Sequence, residues 1–208
     1  MRLVLASNNA KKLGELRAML AGLPVQLLAQ GELGITEAEE PHATFVENAL
    51  LKARHAAAES QGPAIADDSG LCVNALGGAP GVISAHYAAE LAGEGDREAR
   101  RRAQDAANNT RLLQDLSSVT DRRAHFVSTL VAVRHADDPQ PLIAMGRWPG
   151  EISTVPRGDQ GFGYDPLMFI PNLGLTVAQM DAELKNHHSH RARAMEQMLV
   201  LLHEVWAL

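Results

Sequence analysis

The sequence predicts an α/β protein built around a mixed β-sheet. Short apolar runs, typical of buried strands, alternate with segments of helical periodicity over the first part of the chain. Later, residues 124–135 and 142–152 are rich in β-formers and flank a polar, proline-containing stretch, which predicts a hairpin of two long strands. With 208 residues and 46% hydrophobic content, the chain can bury one substantial core, and we expect a single domain over residues 1–208.

The first elements follow the order strand, polar turn, helix. The run Leu3–Ala6 predicts a strand, and a helical period follows it. Val25–Ala29 predicts a second strand, and Thr44 with Glu47 forms a capping box at the start of a second helix. The apolar stripe of that helix comprises Val46, Ala49, Leu50, Ala53 and Ala57.

Two further strands are predicted at Ala64–Asp67 and Leu71–Leu76, separated by a tight turn. The Ala- and Arg-rich segment 89–116 predicts a helix interrupted near Gly93 and Gly95, with Arg100–Arg102 on a solvated face. The remaining elements are a strand at 167–170, a capping box of Thr176 with Gln179, and a final helix that begins after Ser189.

Composition restricts the classes of function. A net charge of -6 argues against a general nucleic-acid binder, which needs a basic surface. The single cysteine, Cys72, excludes an internal disulfide and suits a reducing compartment. No apolar stretch is long enough for a signal peptide or a membrane span, so we expect a cytoplasmic protein that does not act at a membrane.

The stretch Asp67-Asp68-Ser69-Gly70 carries the most concentrated charge next to a predicted strand. Successive strand residues point to opposite faces, so one carboxylate is expected to be functional and the other structural. An Asx-type turn, whose carboxylates bond only backbone amides, is the alternative for this stretch taken alone.

The turn Ser7-Asn8-Asn9-Ala10-Lys11-Lys12 lies between a strand and a helix start, where free amides and the helix dipole favour an anion such as phosphate. It is not a Walker A loop, and an Asn-rich helix cap with a solvated lysine is the alternative. Only four of the 19 basic residues are lysines, and each lies in a segment of interest: Lys11, Lys12, Lys52 and Lys185.

Three other segments could bring groups to a ligand. Glu39 or Glu40, with Asp68, could complete a magnesium site, since this ion takes carboxylate and phosphate oxygens; solvated loop charge is the alternative. The stretch Gly161-Phe162-Gly163-Tyr164-Asp165 offers an aromatic surface for a base, or a turn with a core-facing Phe. The histidines of 185–191 match no zinc spacing, and hydrogen-bond donors or surface polarity explain them better.

Six blocks in the same order over nearly the whole chain resemble the inosine/xanthosine triphosphate pyrophosphatase family. They are SNNAKK, TFVENALLKA, ADDSGLCV, LGGAPGVISA, GFGYDP and SHR. The resemblance implies an α/β fold with a mixed, strongly twisted central sheet, flanking helices and two lobes that enclose a substrate cleft. It implies a magnesium-dependent homodimer that hydrolyses ITP, dITP and XTP to the monophosphate and pyrophosphate.

The resemblance also implies roles for individual residues. Asp68 would be the catalytic proton acceptor and, with Glu39, would bind Mg²⁺. Within the turn of residues 7–12, Ser7, Asn9 and Lys12 would hold the triphosphate, assisted by Lys52. The remaining substrate-binding positions are Ser69, Phe162, Gly163, Tyr164, Asp165, Lys185, His190 and Arg191.

The chain departs from the family pattern in three places. Ser7-Asn8-Asn9 stands where Thr-Gly-Asn is common, His86 stands where the family usually has the arginine of a Ser-Ala-Arg sequence, and the stretch after Tyr87 is longer than usual.

Two alternative functions remain open: a Maf-like pyrophosphatase for modified pyrimidine nucleotides, and a nucleotide sensor without turnover. A sensor would have little use for a water-activating carboxylate beside a metal.

Overall fold

The computed structural model describes residues 1–89 and 96–208. Within these residues, seven strands form one mixed sheet with flanking helices, which confirms the predicted fold class. The strands are β1 (Arg2–Leu5), β2 (Gln26–Ala29), β3 (Ala64–Val73), β4 (Arg123–Val133), β5 (Leu142–Ile152), β6 (Met168–Ile170) and β7 (Leu175–Thr176). Their order in the sheet is β2-β1-β3-β4-β5-β6-β7, with β1 parallel to β2 and β3, and β6 antiparallel to β5 and β7.

Five α-helices lie among the described residues: α1 (Ala10–Met19), α2 (Phe45–Ser60), α3 (Arg97–Asp115), α4 (Ala182–His188) and α5 (His190–Trp206). Short 3₁₀ turns occupy Gln30–Leu33, Asn74–Leu76, Gly81–His86 and Val177–Gln179. None of the helices in the described part of the chain has the length and apolar character needed to cross a membrane.

The predicted helix starts are confirmed by their caps. Thr44 Oγ1 accepts the N–H of Glu47 at 3.3 Å, and the side chain of Gln179 accepts the N–H of Thr176 at 3.0 Å. Ser189 caps α5, and it also separates α5 from α4, so Lys185 lies on a helix of its own rather than at the start of the last one. The predicted interruption near Gly93 and Gly95 lies outside the described residues.

The tight turn predicted at residues 67–70 is wrong. β3 continues through these residues to Val73, and Asn74–Leu76 forms a 3₁₀ turn instead of a strand. β3 lies between β1 and β4 in the sheet, and its register with β1 covers Ala64 and Ile65. The sheet context, with Asp67 and Asp68 buried, outweighs the local preference of Asp, Ser and Gly for turns.

The chain divides into two compact units. The first comprises residues 1–69, 128–147 and 188–208, and the second comprises residues 70–127 and 148–187. The core of the second unit is one hydrophobic cluster, in which Leu112 of α3 and Leu116, directly after the helix, pack with Trp148, Leu167 and their neighbours.

The sheet of the first unit is buried on both faces. Leu3 and Leu5 of β1 belong to one hydrophobic cluster with Leu16 of α1 and residues of α5. Val4 of β1 belongs to a second cluster with Ala53 and other residues of α2. Because successive strand residues point to opposite faces, side chains two residues apart in one of these strands meet the same helices, and adjacent side chains meet different ones.

One close approach fixes α5 on β5 within this unit. A Cβ atom at Gly146 would overlap the carbonyl oxygen of His190 and would lie 2.5 Å from the amide nitrogen of Ala194. Glycine is therefore required for the first turn of α5 to lie at this distance from the strand.

Candidate active site

The two carboxylates of β3 point to opposite faces of the sheet, as the alternation rule predicts. Ile65 lies in the cluster of α1 and α5, and two residues further on Asp67 faces that same side. Ala66 lies in the cluster of α2, and Asp68 faces α2. The strand therefore presents one carboxylate to each layer of helices.

Asp67 is the centre of a buried ion network. Its side chain is 1% exposed, and its Oδ2 lies 3.0 Å from Nζ of Lys12 and 3.1 Å from Nε of Arg191. The hydroxyl of Ser128 donates to its Oδ1 at 2.8 Å. Burial alone would raise the pKa of Asp67, but the two cations and the Ser128 hydroxyl outweigh it and hold the pKa far below its ordinary value.

Asp68 lies in a different environment. Nζ of Lys52 lies 2.9 Å from its Oδ1, while Oδ2 is buried and has no hydrogen-bond partner among the described residues. Burial raises the pKa of Asp68 to about 6, although the charge of Lys52 opposes the rise. A carboxyl group with a pKa near the working pH is suited to accept and release protons.

The two lysines meet at the backbone of β3. Nζ of Lys12 and Nζ of Lys52 both donate to the carbonyl oxygen of Asp67, at 3.4 and 3.3 Å. Burial lowers the pKa of Lys12, whereas Asp68 and Glu40 overcome the effect of burial and raise the pKa of Lys52. β3 thus brings two ammonium groups to one point, each paired with a carboxylate, and compact ammonium groups of this kind are suited to contact phosphate oxygens.

The turn before α1 is ordered by its own side chains. Oδ1 of Asn9 accepts the N–H groups of Lys11 and Lys12 at 3.1 and 3.2 Å, and Oγ of Ser7 accepts the N–H of Asn9 at 3.1 Å. Asn8 donates instead to Glu37, at 2.9 Å. Ala10 and Lys11 are exposed, so Lys12 is the residue of this turn that the structure brings to the carboxylates of β3.

Of the two neighbouring glutamates, Glu39 and Glu40, the structure places Glu40 beside Lys52; the metal-binding role of Glu39 stays a prediction. Oε1 of Glu40 lies 3.1 Å from Nζ of Lys52, which also contacts Asp68. Glu39 and Glu40 are both exposed, and the carboxylate of Glu39 makes no ion pair within residues 1–89 and 96–208.

Arg191 and His190, both predicted to bind substrate, are buried at the start of α5. Arg191 is 1% exposed; besides Asp67, its guanidinium contacts Glu15 of α1 and lies 3.1 Å from Oγ of Ser69. The guanidinium therefore holds α1, β3 and α5 together within the first unit. Glu15 and Ser128 could not be predicted as part of this network, because no local pattern distinguishes them from ordinary helix and strand residues.

In the second unit, the predicted Gly161–Asp165 loop is ordered by Asp165. Its Oδ2 accepts the N–H of Phe162 and an ammonium proton of Lys185, both at 2.9 Å. Nζ of Lys185 also lies 4.6 Å from the centroid of the half-buried Phe162 ring. A Cβ atom at Gly161, where φ is +76°, would overlap the Asp165 carboxylate, so this position requires glycine.

Tyr164 has a structural place in this loop. Its side chain is 5% exposed, and its hydroxyl donates to the carbonyl oxygen of Ser84 at 2.8 Å. Burial raises the pKa of the Tyr164 hydroxyl far above its ordinary value. Phe162 is the more accessible aromatic group of the loop, as a base-stacking surface requires.

No group of three or more His, Cys, Asp or Glu side chains that could hold a metal is found in the described ranges. The arrangement around Asp68 nevertheless fits magnesium, because this ion binds through one or two carboxylates, water and substrate phosphates. The unpartnered Oδ2 of Asp68 and the carboxylate of Glu40, both beside Lys52, supply such a donor set.

Comparison with known proteins agrees with the motif resemblance. A sequence model of the Ham1 family matches residues 3–201. A protein of Methylibium petroleiphilum named dITP/XTP pyrophosphatase is 68% identical over 206 residues, which are 99% of each chain. A protein of Leptothrix cholodnii with the same name is 66% identical over an alignment of 212 positions, which covers 100% of each chain.

Solved structures agree as well. A HAM1 protein from Coxiella burnetii superimposes with a TM-score of 0.86 at 41% identity, over 99% of this chain and 100% of that one. The Staphylococcus aureus Ham1 protein superimposes with a TM-score of 0.78 at 36% identity, over 96% of this chain and 98% of that one. The family match, the sequence relatives and the shared fold each extend over nearly the whole chain, and the protein therefore belongs to the Ham1 family.

Proposed function

We propose that this protein hydrolyses deaminated purine nucleoside triphosphates, namely dITP, ITP and XTP, to the nucleoside monophosphate and pyrophosphate, and so clears them from the nucleotide pool. The observation that carries the proposal is Asp68, whose pKa of about 6 and unpartnered Oδ2 suit proton transfer beside two lysines. Relatives named dITP/XTP pyrophosphatase, 55–68% identical, support the choice of substrate.

The residues of the first unit are assigned to the triphosphate. Lys12 and Lys52 donate to phosphate oxygens, since a compact ammonium serves as a point charge for phosphate. Asp68 accepts a proton from the water that attacks the α-phosphorus. The bond between the α-phosphorus and the bridging oxygen breaks, and pyrophosphate leaves with the electron pair.

We propose that Mg²⁺ is the cofactor and that Asp68 and Glu40 hold it. The bound ion would polarise phosphoryl oxygens and neutralise their charge. The acidic chain supports this assignment, because carboxylates next to a triphosphate need a cation between them. We also propose, from the family resemblance, a homodimer, and, from composition and net charge, a cytoplasmic protein that binds no nucleic acid. Light scattering that gives the mass of a monomer at micromolar concentration would contradict the dimer.

The second unit is assigned to the base. Phe162 offers a ring for stacking, and the ammonium of Lys185 offers donors for the oxygen at position six of a deaminated purine. Adenine presents an amino group at that position, and a mismatch of this kind can discriminate by roughly 10⁴-fold.

The test is a panel of nucleoside triphosphates incubated with the protein and Mg²⁺, with products identified by chromatography. We expect monophosphate and pyrophosphate from dITP, ITP and XTP, and far lower kcat/KM for ATP. Comparable kcat/KM for ATP and ITP would overturn the purine assignment. Turnover confined to modified pyrimidine nucleotides would indicate the Maf-like alternative, and binding without any product would indicate a sensor.

A further inference from the structure

One face of α3 contacts the Gly161–Asp165 loop. Oδ2 of Asp105 accepts the N–H of Gly163 at 2.9 Å, and Nδ2 of Asn109 donates to the carbonyl oxygen of Gly163 at 2.8 Å. One turn earlier, Cζ of Arg101 lies 5.3 Å from the centroid of the Phe162 ring. The spacing of four residues places these three side chains on the same side of the helix.

The contacts fix the backbone on both sides of Gly163. Its N–H and its carbonyl group are each held by a side chain of α3, and its φ of +61° is one that residues other than glycine rarely adopt. The N–H of the preceding residue, Phe162, is held by Asp165. The direction in which the Phe162 ring points is therefore set by α3 as well as by the loop itself.

Arg101 acts on the ring directly. The prediction that Arg100–Arg102 lie on a solvated face is wrong for Arg101, which is half-buried with its guanidinium over the Phe162 ring, while Arg100 and Arg102 are exposed. A cation over an aromatic face is attracted by the ring quadrupole, and a planar guanidinium can also stack on the ring. Arg101 and Lys185 together restrict the orientation of the Phe162 ring.

We infer that Arg101, Asp105 and Asn109 of α3 are positioning residues that determine how well this protein discriminates between purine bases, by fixing Phe162 and its loop. The inference rests on the proposed function, in which Phe162 stacks on the base. Discrimination depends on placing ring and donors accurately against the edge of the base, whereas the groups assigned to the chemistry, Asp68, Lys12 and Lys52, belong to the first unit.

The first test compares kcat and KM for dITP and dATP in the wild type and in Asp105→Ala. Loss of a hydrogen bond to a charged acceptor is expected to lower the dITP-to-dATP ratio of kcat/KM roughly tenfold, mainly through the KM for dITP, with kcat within about twofold. Asp105→Asn keeps an acceptor for the N–H of Gly163 and is expected to restore the ratio. Asn109→Ala should repeat the effect of Asp105→Ala.

Arg101 has a matched control in the adjacent arginine. Arg101→Ala is expected to raise the KM for dITP about two- to fivefold, as for the loss of one cation–π contact, while Arg102→Ala should leave both constants unchanged. Equal effects of the two substitutions would exclude a specific role for Arg101.

A second readout needs no turnover. Amide hydrogen exchange at Gly163 in the nucleotide-free protein should accelerate about tenfold or more in Asp105→Ala and return to the wild-type rate in Asp105→Asn.

The two failures can be distinguished. If the wild type does not hydrolyse dITP, the proposed function fails. If exchange at Gly163 is unchanged in Asp105→Ala, the positioning role is refuted by itself. If the wild type hydrolyses dITP but Asp105→Ala and Asn109→Ala keep its base preference, the inference is overturned. Should Asp105→Ala fail to fold, Asn109→Ala and Arg101→Ala are judged by the same criterion.

Discussion

Asp67→Asn tests whether the buried ion network stabilises the first unit. The substitution keeps the shape of the side chain but leaves Lys12 and Arg191 without their shared counter-charge. Removing one partner of a buried ion pair typically costs about 3–5 kcal/mol. Arg191 keeps its contact with Glu15, so we expect a loss near the lower end, about 3 kcal/mol. For a chain of this length, that corresponds to a fall in Tm of roughly 6–12 °C.

The assay is urea unfolding at pH 7, in which Asp67→Asn should lower the midpoint at an unchanged m-value. Asp121→Asn is the matched control, because Asp121 pairs with Arg123 at the surface and should contribute little. A loss below about 1 kcal/mol for Asp67→Asn would refute the interpretation of the network as stabilising.

The same network predicts a pH dependence with a definite sign. The pKa of Asp67 is lowered in the folded protein, so its contribution to stability is present above the unfolded pKa of about 3.9 and is lost as the pH falls further. The difference in unfolding free energy between the wild type and Asp67→Asn should therefore shrink below about pH 4. A difference that stayed constant from pH 7 to pH 3 would contradict the lowered pKa.

Three further predictions concern the reaction. Asp68→Asn should lower kcat about 10²–10⁴-fold while the Tm stays near that of the wild type, because the raised pKa shows that the folded state disfavours this charge; near-normal kcat would remove Asp68 from the mechanism. In a carbon-13 NMR titration of the metal-free protein, the Asp68 carboxyl group should be protonated below about pH 6 and ionised above it, and Mg²⁺ should lower that midpoint. A midpoint below pH 5 in the metal-free protein would contradict the raised pKa of Asp68. Glu40→Gln should raise the Mg²⁺ concentration needed for half-maximal activity, whereas Glu39→Gln should not, and the reverse result would restore the original assignment to Glu39.

Most of the fold could be predicted from the sequence, because apolar periodicity and capping residues act locally. The hairpin strands at 124–135 and 142–152 were predicted within two residues of their observed ends, and the start of α2 was given by Thr44. The exception was β3, where residues that favour turns lie inside a strand. Its neighbours in the sheet belong to distant parts of the sequence, and no local pattern could show them.

The candidate site was predicted in part, and its lysines show why. Lys12, Lys52 and Lys185, singled out because lysine is rare in this chain, each pair with a carboxylate: Asp67, Asp68 and Asp165. The burial of Arg191 could not be foreseen, since its partner in β3 lies 124 residues away in the chain. The choice between Glu39 and Glu40 depends on the local path of a loop without regular structure, which the residue types do not determine.

The close approach at Gly146 has a consequence for how a mutational scan of this protein would be interpreted. Any side chain at this position displaces the first turn of α5, and that turn carries His190 and Arg191. A selection for nucleotide hydrolysis would therefore reject almost every substitution at Gly146, although the residue has no side chain with which to bind or react. Loss of activity on substitution at position 146 would therefore report displacement of α5, and it should be accompanied by loss of the contact between Arg191 and Asp67.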